Sequence, residues 1–204
     1  MIFFILLFNI VNSRAINKQK LYNKYFSEYK DFNSRIDSSI IKFITELKIK
    51  EVDTIGVFQE SRPGFLVWDS CQCSIVPWTG YIYWIKDGKT FQRMFTPSCI
   101  HEVEEIKYSY LIRYYIVAQK KIDADVIMPC IISYLKDDII VSVIDHTKCY
   151  SLLIYINKKY KYCYLECYFL ENKENLFYED NNSSAITSWL NFSLQQSNFK
   201  NKND

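Results

Sequence analysis

The residues of this sequence that are best suited to chemistry are its seven cysteines and two histidines. Cys71 and Cys73 precede a predicted β-hairpin, and Cys99 and His101 follow it, so the four side chains could meet. Three thiolates and an imidazole would complete a tetrahedral zinc site. The spacing within each pair is shorter than in zinc fingers, however, and an exported chain favours oxidation. A disulfide from Cys99 to Cys71 or Cys73 is therefore the leading interpretation, with zinc and buried thiols as alternatives.

A second group of candidates is Asp145, His146 and Cys149, which lie within one short stretch. A thiolate that is paired with an imidazolium and oriented by a carboxylate is a working nucleophile, as in thiol hydrolases. The Cys–His pairs of such enzymes are assembled in space from distant segments, so closeness in sequence is weak support. A solvent-exposed turn followed by a structural cysteine is the favoured interpretation.

Cys149 also has a disulfide interpretation. If residues 157–159 form the loop between two antiparallel strands, Cys149 lies opposite Cys167, within the range of a cross-strand disulfide. A shift of the register by two residues on each strand places Cys163 there instead. The odd number of cysteines leaves at least one thiol unpaired in either arrangement.

Aromatic side chains are the candidates for ligand binding. Trp78, Tyr81 and Tyr83 cluster near the first hairpin. A second row alternates along one face of the last predicted strand, and its members are Tyr160, Tyr162, Tyr164 and Tyr168. Such rings stack on a glycan or another ligand only where they are exposed. Burial beneath helices is the alternative, because the chain has enough amphipathic helix to cover them.

The first half of the chain predicts two helices followed by strands. Apolar residues at spacings of three and four indicate helices over 17–33 and about 38–48, with helix-capping residues between them. Residues 55–59 and 65–68 have the composition of strands and flank a Pro-Gly pair that favours a turn. We therefore expect these two strands to pair with each other.

The clearest local signal is the Asp87-Gly88 pair between two β-rich runs. Asp-Gly is a preferred two-residue hairpin turn because both central residues need a positive φ. The turn fixes the register, so that Trp84 lies opposite Phe91 on the side that we expect to meet the core.

Thr96, Pro97 and Ser98 end this hairpin and indicate the start of a helix. Ser98 is the predicted N-cap, and three glutamates suit the positive end of the helix dipole. Lys120 and Lys121 suit its other end. The predicted buried stripe consists of Val103, Ile106, Tyr110, Tyr114 and Val117.

The second half of the chain predicts strands and one more helix. Residues 139–144, 150–156 and 160–169 indicate three strands of a meander, joined by short polar turns. Residues 171–183 are polar and are predicted to be a loop. A final helix over 184–195 places Ile186, Trp189 and Leu190 on one side.

Together these elements predict an α+β fold in one domain, because the helices and strands occur in separate blocks. We expect an antiparallel sheet of about five to seven strands, with N-terminal, central and C-terminal helices packed on it. The length of 204 residues suits a single core, which we place at 16–198, with a frayed tail at 199–204. A net charge of +2 without a basic stripe is not typical of nucleic-acid binding.

The first residues indicate the compartment. Met1 to Ile10 is almost wholly apolar, and small residues follow it, which predicts an export signal over 1–15 and a secreted or periplasmic protein. The apolar run is too short for a spanning helix, so no transmembrane segment is expected in the mature chain. The sequence thus favours an exported, non-catalytic domain that binds a protein or a glycan and needs no cofactor. A Cys-His thiol hydrolase and a zinc-binding domain are the alternatives.

Overall fold

The computed structural model describes residues 18–26, 31, 33–62, 77–135, 138–142, 144 and 147–200. Their fold is α+β, as the sequence predicts. The helices are α1 Lys18–Tyr25, α2 Ser38–Ile49, α3 Tyr110–Ala124, α4 Cys167–Glu171, α5 Tyr178–Asn182 and α6 Ala185–Lys200. The strands are β1 Thr54–Ser61, β2 Trp78–Lys86, β3 Lys89–Phe95, β4 Ile100–Ile106, β5 Ile131–Leu135, β6 Asp138–Val141, β7 Cys149–Ile156 and β8 Lys159–Glu166.

Six strands form one antiparallel sheet in the order β4-β3-β2-β1-β7-β8, while β5 and β6 form a separate pair. Helix α2 covers one face of the large sheet, where Ile40 is fully buried against β1 and β2. Helices α3 and α6 cover the other face, and the Trp189 indole donates a hydrogen bond to the Leu111 carbonyl at 2.9 Å. Because both faces are covered, the central strands are apolar on both sides.

The hairpin predicted at Asp87-Gly88 is confirmed. Asp87 and Gly88 have φ values of 51° and 73°, as this kind of turn requires. Trp84 lies opposite Phe91, and their rings stack with centroids 5.6 Å apart. The Trp84 side meets the core beneath α2, and the opposite side of the hairpin is buried as well.

The helix predicted from Ser98 begins much later, at Tyr110. Residues Ile100–Ile106 form the edge strand β4 instead, after a tight turn in which Thr96 and Cys99 exchange backbone hydrogen bonds. The glutamates expected at a helix start are cross-strand partners, since Glu105 pairs with Lys89 at 2.8 Å. The predicted buried stripe is therefore wrong, and Val117 is 87% exposed. The side chains of α3 that are buried are Leu111, Ile112, Tyr115 and Ile122.

Two predicted strand pairings are also wrong. Strand β1 pairs along its whole length with β2 on one edge and β7 on the other. The predicted partner, residues 65–68, lies outside the described residues. Strand β6 pairs with β5 rather than joining a meander with β7 and β8. Both errors concern contacts between distant segments, which local turn signals do not specify.

The β7–β8 turn has two residues, and this overturns both disulfides proposed for Cys149. Asn157 and Lys158 adopt positive φ values of 49° and 66°, so Ile156 pairs with Lys159. Cys149 then lies opposite Glu166, while Cys163 lies opposite Leu152 and Cys167 begins α4. The free cysteines are Cys130, Cys149, Cys163 and Cys167.

Irregular segments complete the fold. Residues 126–130 are buried without belonging to a strand, and the stretch predicted as a loop at 171–183 holds the end of α4 and all of α5. The final helix is confirmed, with Ile186, Trp189 and Leu190 buried. In the part of the chain that is described, every helix is too short or too polar to cross a bilayer.

Gly56 on β1 is the point at which α3 approaches the sheet. A Cβ there would collide with Leu111 Cδ2 and lie 3.0 Å from Ile112 Cγ1, and both side chains are fully buried. Alanine normally stabilises a strand relative to glycine, but here we expect Gly56→Ala to lower the free energy of unfolding by about 1–3 kcal/mol. Urea denaturation followed by tryptophan fluorescence measures this. An unchanged or increased stability would mean that α3 separates from β1 without cost.

Candidate functional site

The best candidate for a binding site is a cleft where α3 begins. Ser109 caps this helix by accepting a hydrogen bond from the Ile112 amide at 3.4 Å. Gln196 of α6 holds the same turn, because its Oε1 accepts from the Tyr110 amide at 2.7 Å and its Nε2 donates to the Tyr108 carbonyl. The start of α3 is thus fixed to α6 before any ligand binds.

The cleft lies between this turn and the β2–β3 hairpin, at the end where Asp87 and Gly88 form the hairpin turn. Its volume is about 340 Å³. Ile85 and Ile112 provide its apolar lining, and Thr90 and Ser109 contribute hydroxyl groups. The remaining lining residues are Lys107, Tyr108 and Arg113. None of these seven residues is acidic.

Among the described residues, the two cations of the cleft have no carboxylate partner. Neither Lys107 nor Arg113 forms an ion pair with any acidic side chain of the described residues. Both lie near the Tyr108 ring instead, with Arg113 Cζ 4.9 Å and Lys107 Nζ 6.0 Å from its centroid. A cation over an aromatic face keeps its charge for other partners.

Tyrosine hydroxyls add hydrogen-bonding groups beside the cations. Tyr108 Oη and Tyr110 Oη lie 3.1 Å apart, and this shared hydrogen bond raises the pKa of Tyr110. The hydroxyl is therefore protonated at neutral pH. The cleft combines two positive charges with neutral hydroxyl groups, which is the chemistry that binds phosphate, sulfate or carboxylate groups.

A second cleft of about 220 Å³ lies between α1 and β8, but its charged groups already have partners. Lys161 donates to the backbone carbonyls of Asp123 and Asp125. Asp125 accepts from the amides of Val126 and Ala185, and Asp123 accepts from a tyrosine hydroxyl. These contacts stabilise the chain itself, so this cleft is the weaker candidate.

The aromatic residues predicted to bind a ligand lie mostly in the core. Tyr81 and Tyr83 are buried beneath α3 and α6, with 5% and 1% of their surface exposed. Trp78 is partly buried on the opposite face, against the α2 cluster. The three rings thus form no common surface, and the two tyrosines are inaccessible for stacking. In the second row, Tyr160 is 63% exposed and Tyr162 is buried.

The proposed nucleophile Cys149 is a buried thiol. Its Sγ donates to the Thr147 carbonyl at 3.3 Å and accepts from the Tyr164 hydroxyl at 3.0 Å. Burial raises the pKa of Cys149, although the Tyr164 hydrogen bond opposes part of this effect. A protonated thiol is a poor nucleophile. Asp145 and His146 lie outside the described residues, so their relation to Cys149 stays a prediction.

Of the four proposed zinc ligands, two belong to the described residues and two do not. Cys71 and Cys73 lie outside the described residues, while His101 is half-buried on β4. Cys99 is disulfide-bonded, and its partner is none of the described cysteines. A disulfide sulfur is not a thiolate, which favours the disulfide interpretation over zinc; the pairing with Cys71 or Cys73 stays a prediction. Elsewhere, the described cysteine, histidine and acidic side chains form no cluster suited to a metal ion.

Sequence reasoning missed the cleft because it placed residues 107–113 in the middle of a helix. Ser109 followed by an apolar run is itself an N-cap signal, and it could have located the true start of α3. Comparison of the chain with protein-family models gives no match, and comparisons with curated proteins and with solved structures give none either.

Proposed function

We propose that this protein is an exported, non-catalytic binding domain and that the cleft at the start of α3 holds an anionic group of its ligand. The observation that carries the proposal is the pair of cations, Lys107 and Arg113, which flank an open cleft without a carboxylate partner among the described residues. Elsewhere a lysine does have such a partner, since Lys148 forms an ion pair with Glu60 at 2.8 Å.

The geometry favours binding over catalysis. The hydroxyls of Thr90, Tyr108 and Ser109 and the two cations can donate to an anion, but the cleft lining contains no general base or thiol. The described free cysteines are elsewhere, and burial raises the pKa of each of their thiols. Export rests on the apolar run from Met1 to Ile10.

Titration with inorganic phosphate tests the proposal. We expect amide resonances of residues 107–113 and of Thr90 to shift in the NMR spectrum as phosphate replaces chloride at constant ionic strength. Lys107→Ala/Arg113→Ala removes two charged hydrogen-bond donors and is expected to weaken phosphate binding by at least about tenfold.

A matched control removes the same charge from another surface. Lys42→Ala/Lys50→Ala takes two exposed lysines from α2 and its C-cap, on the opposite face of the sheet. This variant is expected to bind phosphate like the unmodified protein. Equal weakening in both variants would indicate general charge screening, and shifts that map outside the cleft would contradict the proposal.

A further inference from the structure

The outer face of α3 and α6 differs in charge from the rest of the molecule. From Lys107 to Ile122 the sequence has four basic residues and no acidic one, and α6 contains no acidic residue. The whole chain has a net charge of only +2, so the remainder of the chain is net acidic. This helical layer therefore carries a net positive charge.

The same face exposes apolar side chains. Val117 is 87% exposed and Ile116 is 55% exposed, on the side of α3 that points away from the sheet. Phe192 of α6 is 38% exposed and stacks on Tyr114 with ring centroids 4.7 Å apart. Ile116, Val117, Tyr114 and Phe192 are apolar residues of the outer surface of these two helices, which we call the α3–α6 ridge.

Basic residues lie directly beside this ridge. Arg113 and Lys121 are each one helical turn from Val117, and Lys120 is one turn from Ile116. Their long stems can lie along the apolar surface while the charged ends extend outward. Exposed aliphatic and aromatic residues bordered by lysine and arginine are typical of helices that lie in the interface of an anionic membrane.

We propose that the α3–α6 ridge docks on an anionic lipid surface, with Ile116, Val117 and Phe192 entering the headgroup layer and Lys120 and Lys121 contacting lipid phosphates. Charge complementarity selects an anionic partner, since Lys107 to Ile122 contains four basic residues and no acidic one. Asp123, the one acidic residue of α3, accepts a hydrogen bond from the Tyr115 hydroxyl. A fluid bilayer adapts to the surface of a helix without a preformed matching groove. This inference does not depend on phosphate binding in the cleft, because the side chains proposed to contact lipid do not line the cleft.

Vesicle flotation with the full chain tests this docking. We expect the protein to bind vesicles that contain phosphatidylglycerol, to bind pure phosphatidylcholine far less, and to be released by salt. Lys120→Ala/Lys121→Ala is expected to lower the partition coefficient by roughly 10- to 30-fold, since each basic residue near an anionic surface contributes about 1 kcal/mol. Ile116→Ser/Val117→Ser is expected to lower it as well.

Matched variants keep the result specific. Lys42→Ala/Lys50→Ala removes the same charge, and Ile100→Ser/Val103→Ser removes two exposed apolar residues of β4. Both controls are expected to bind vesicles normally, and all variants retain the apolar run from Met1 to Ile10. Equal binding by the ridge variants and the unmodified protein would overturn the proposal. Retention on heparin without vesicle binding would overturn it too, because the partner would then be an anionic polymer.

The proposals for the ridge and for the cleft can be contradicted independently of each other. Lys120→Ala/Lys121→Ala leaves Lys107 and Arg113 in place and is expected to bind inorganic phosphate normally. Loss of phosphate binding in Lys107→Ala/Arg113→Ala, together with loss of vesicle binding but not of phosphate binding in Ile116→Ser/Val117→Ser, would support both proposals. Vesicle binding without any phosphate binding would support the ridge and contradict the cleft.

Discussion

Raising the pH above about 9 is expected to destabilise this protein steeply, because the folded state holds several thiols and phenols in their neutral form. Burial raises the pKa of Cys163 to about 12, from a usual value of 9.0. Burial also raises the pKa of Tyr162 to about 12, although a hydrogen bond with Ser151 opposes the shift. The pKa values of Tyr83, Tyr150 and Tyr164 rise in the same direction, again chiefly through burial.

The direction of this change in stability follows from the number of protons bound by the folded and the unfolded protein. Between the unfolded and the folded pKa of such a group, the folded protein binds a proton that the unfolded chain has lost, so stability falls as pH rises. The stabilisation is complete below about pH 9 for Cys163 and below about pH 10 for the tyrosines. Each such group contributes up to about 1.4 kcal/mol per pH unit within its window.

Urea denaturation at a series of pH values measures the effect. We expect the free energy of unfolding to be flat from neutral pH to about pH 9 and to fall increasingly steeply above it. Cys163→Ala is expected to be less stable throughout, but to lose stability more slowly just above pH 9. A flat profile to pH 11 would contradict the burial of these groups.

Local signals predicted the parts of the fold in which a few neighbouring residues decide the outcome. Asp87 and Gly88 suit a turn that needs two positive φ values, so the register of β2 and β3 followed directly. The alternation in β8 was also informative, because Cys163 and Leu165 lie on the α3–α6 side and Tyr162 and Tyr164 on the α2 side. Side-chain alternation survives even where the strand partner is misassigned.

Distant contacts decided the parts that the sequence did not predict. Glu104 and Glu105 suit a helix start as well as a strand edge, and only their neighbours Gln92 and Lys89 on β3 distinguish the two. The cleft has the same limitation. Lys107 and Arg113 are ordinary basic residues in the sequence, and their importance depends on which carboxylates the fold brings near them.

Asparagines in the stretch predicted as a loop illustrate a further limit, since some of them are buried. Residues 126–130 are buried without a strand partner, so their backbone groups need side-chain partners. Asn181, which is fully buried, accepts from the Met128 amide at 3.0 Å and donates to the carbonyls of Met128 and Phe169. Asn175 accepts from the Ile131 amide in a similar way. Asparagine is a common loop residue, and composition alone does not separate the two roles.

Replacing Asn181 is therefore expected to be among the most damaging single changes in the chain. Asn181→Ala leaves the Met128 amide and carbonyl without their side-chain partner, while the Phe169 carbonyl keeps a hydrogen bond from Asn175. We expect a loss of about 3 kcal/mol or more. Asn181→Asp would bring a carboxylate against two carbonyl oxygens, so its cost should be larger at neutral pH and smaller in acid, where the protonated group can donate.

The neighbouring Asn182 provides a matched control for this prediction. Its amide also donates to two carbonyls, those of Leu170 at 2.8 Å and Tyr178 at 2.9 Å, but the side chain is exposed. Water can replace those hydrogen bonds, so Asn182→Ala is expected to cost no more than about 1 kcal/mol. Urea denaturation of the two alanine variants compares a buried with an exposed asparagine, each of which donates to two carbonyls. Similar losses in both would show that Asn181 does not hold the segment around Met128 in place.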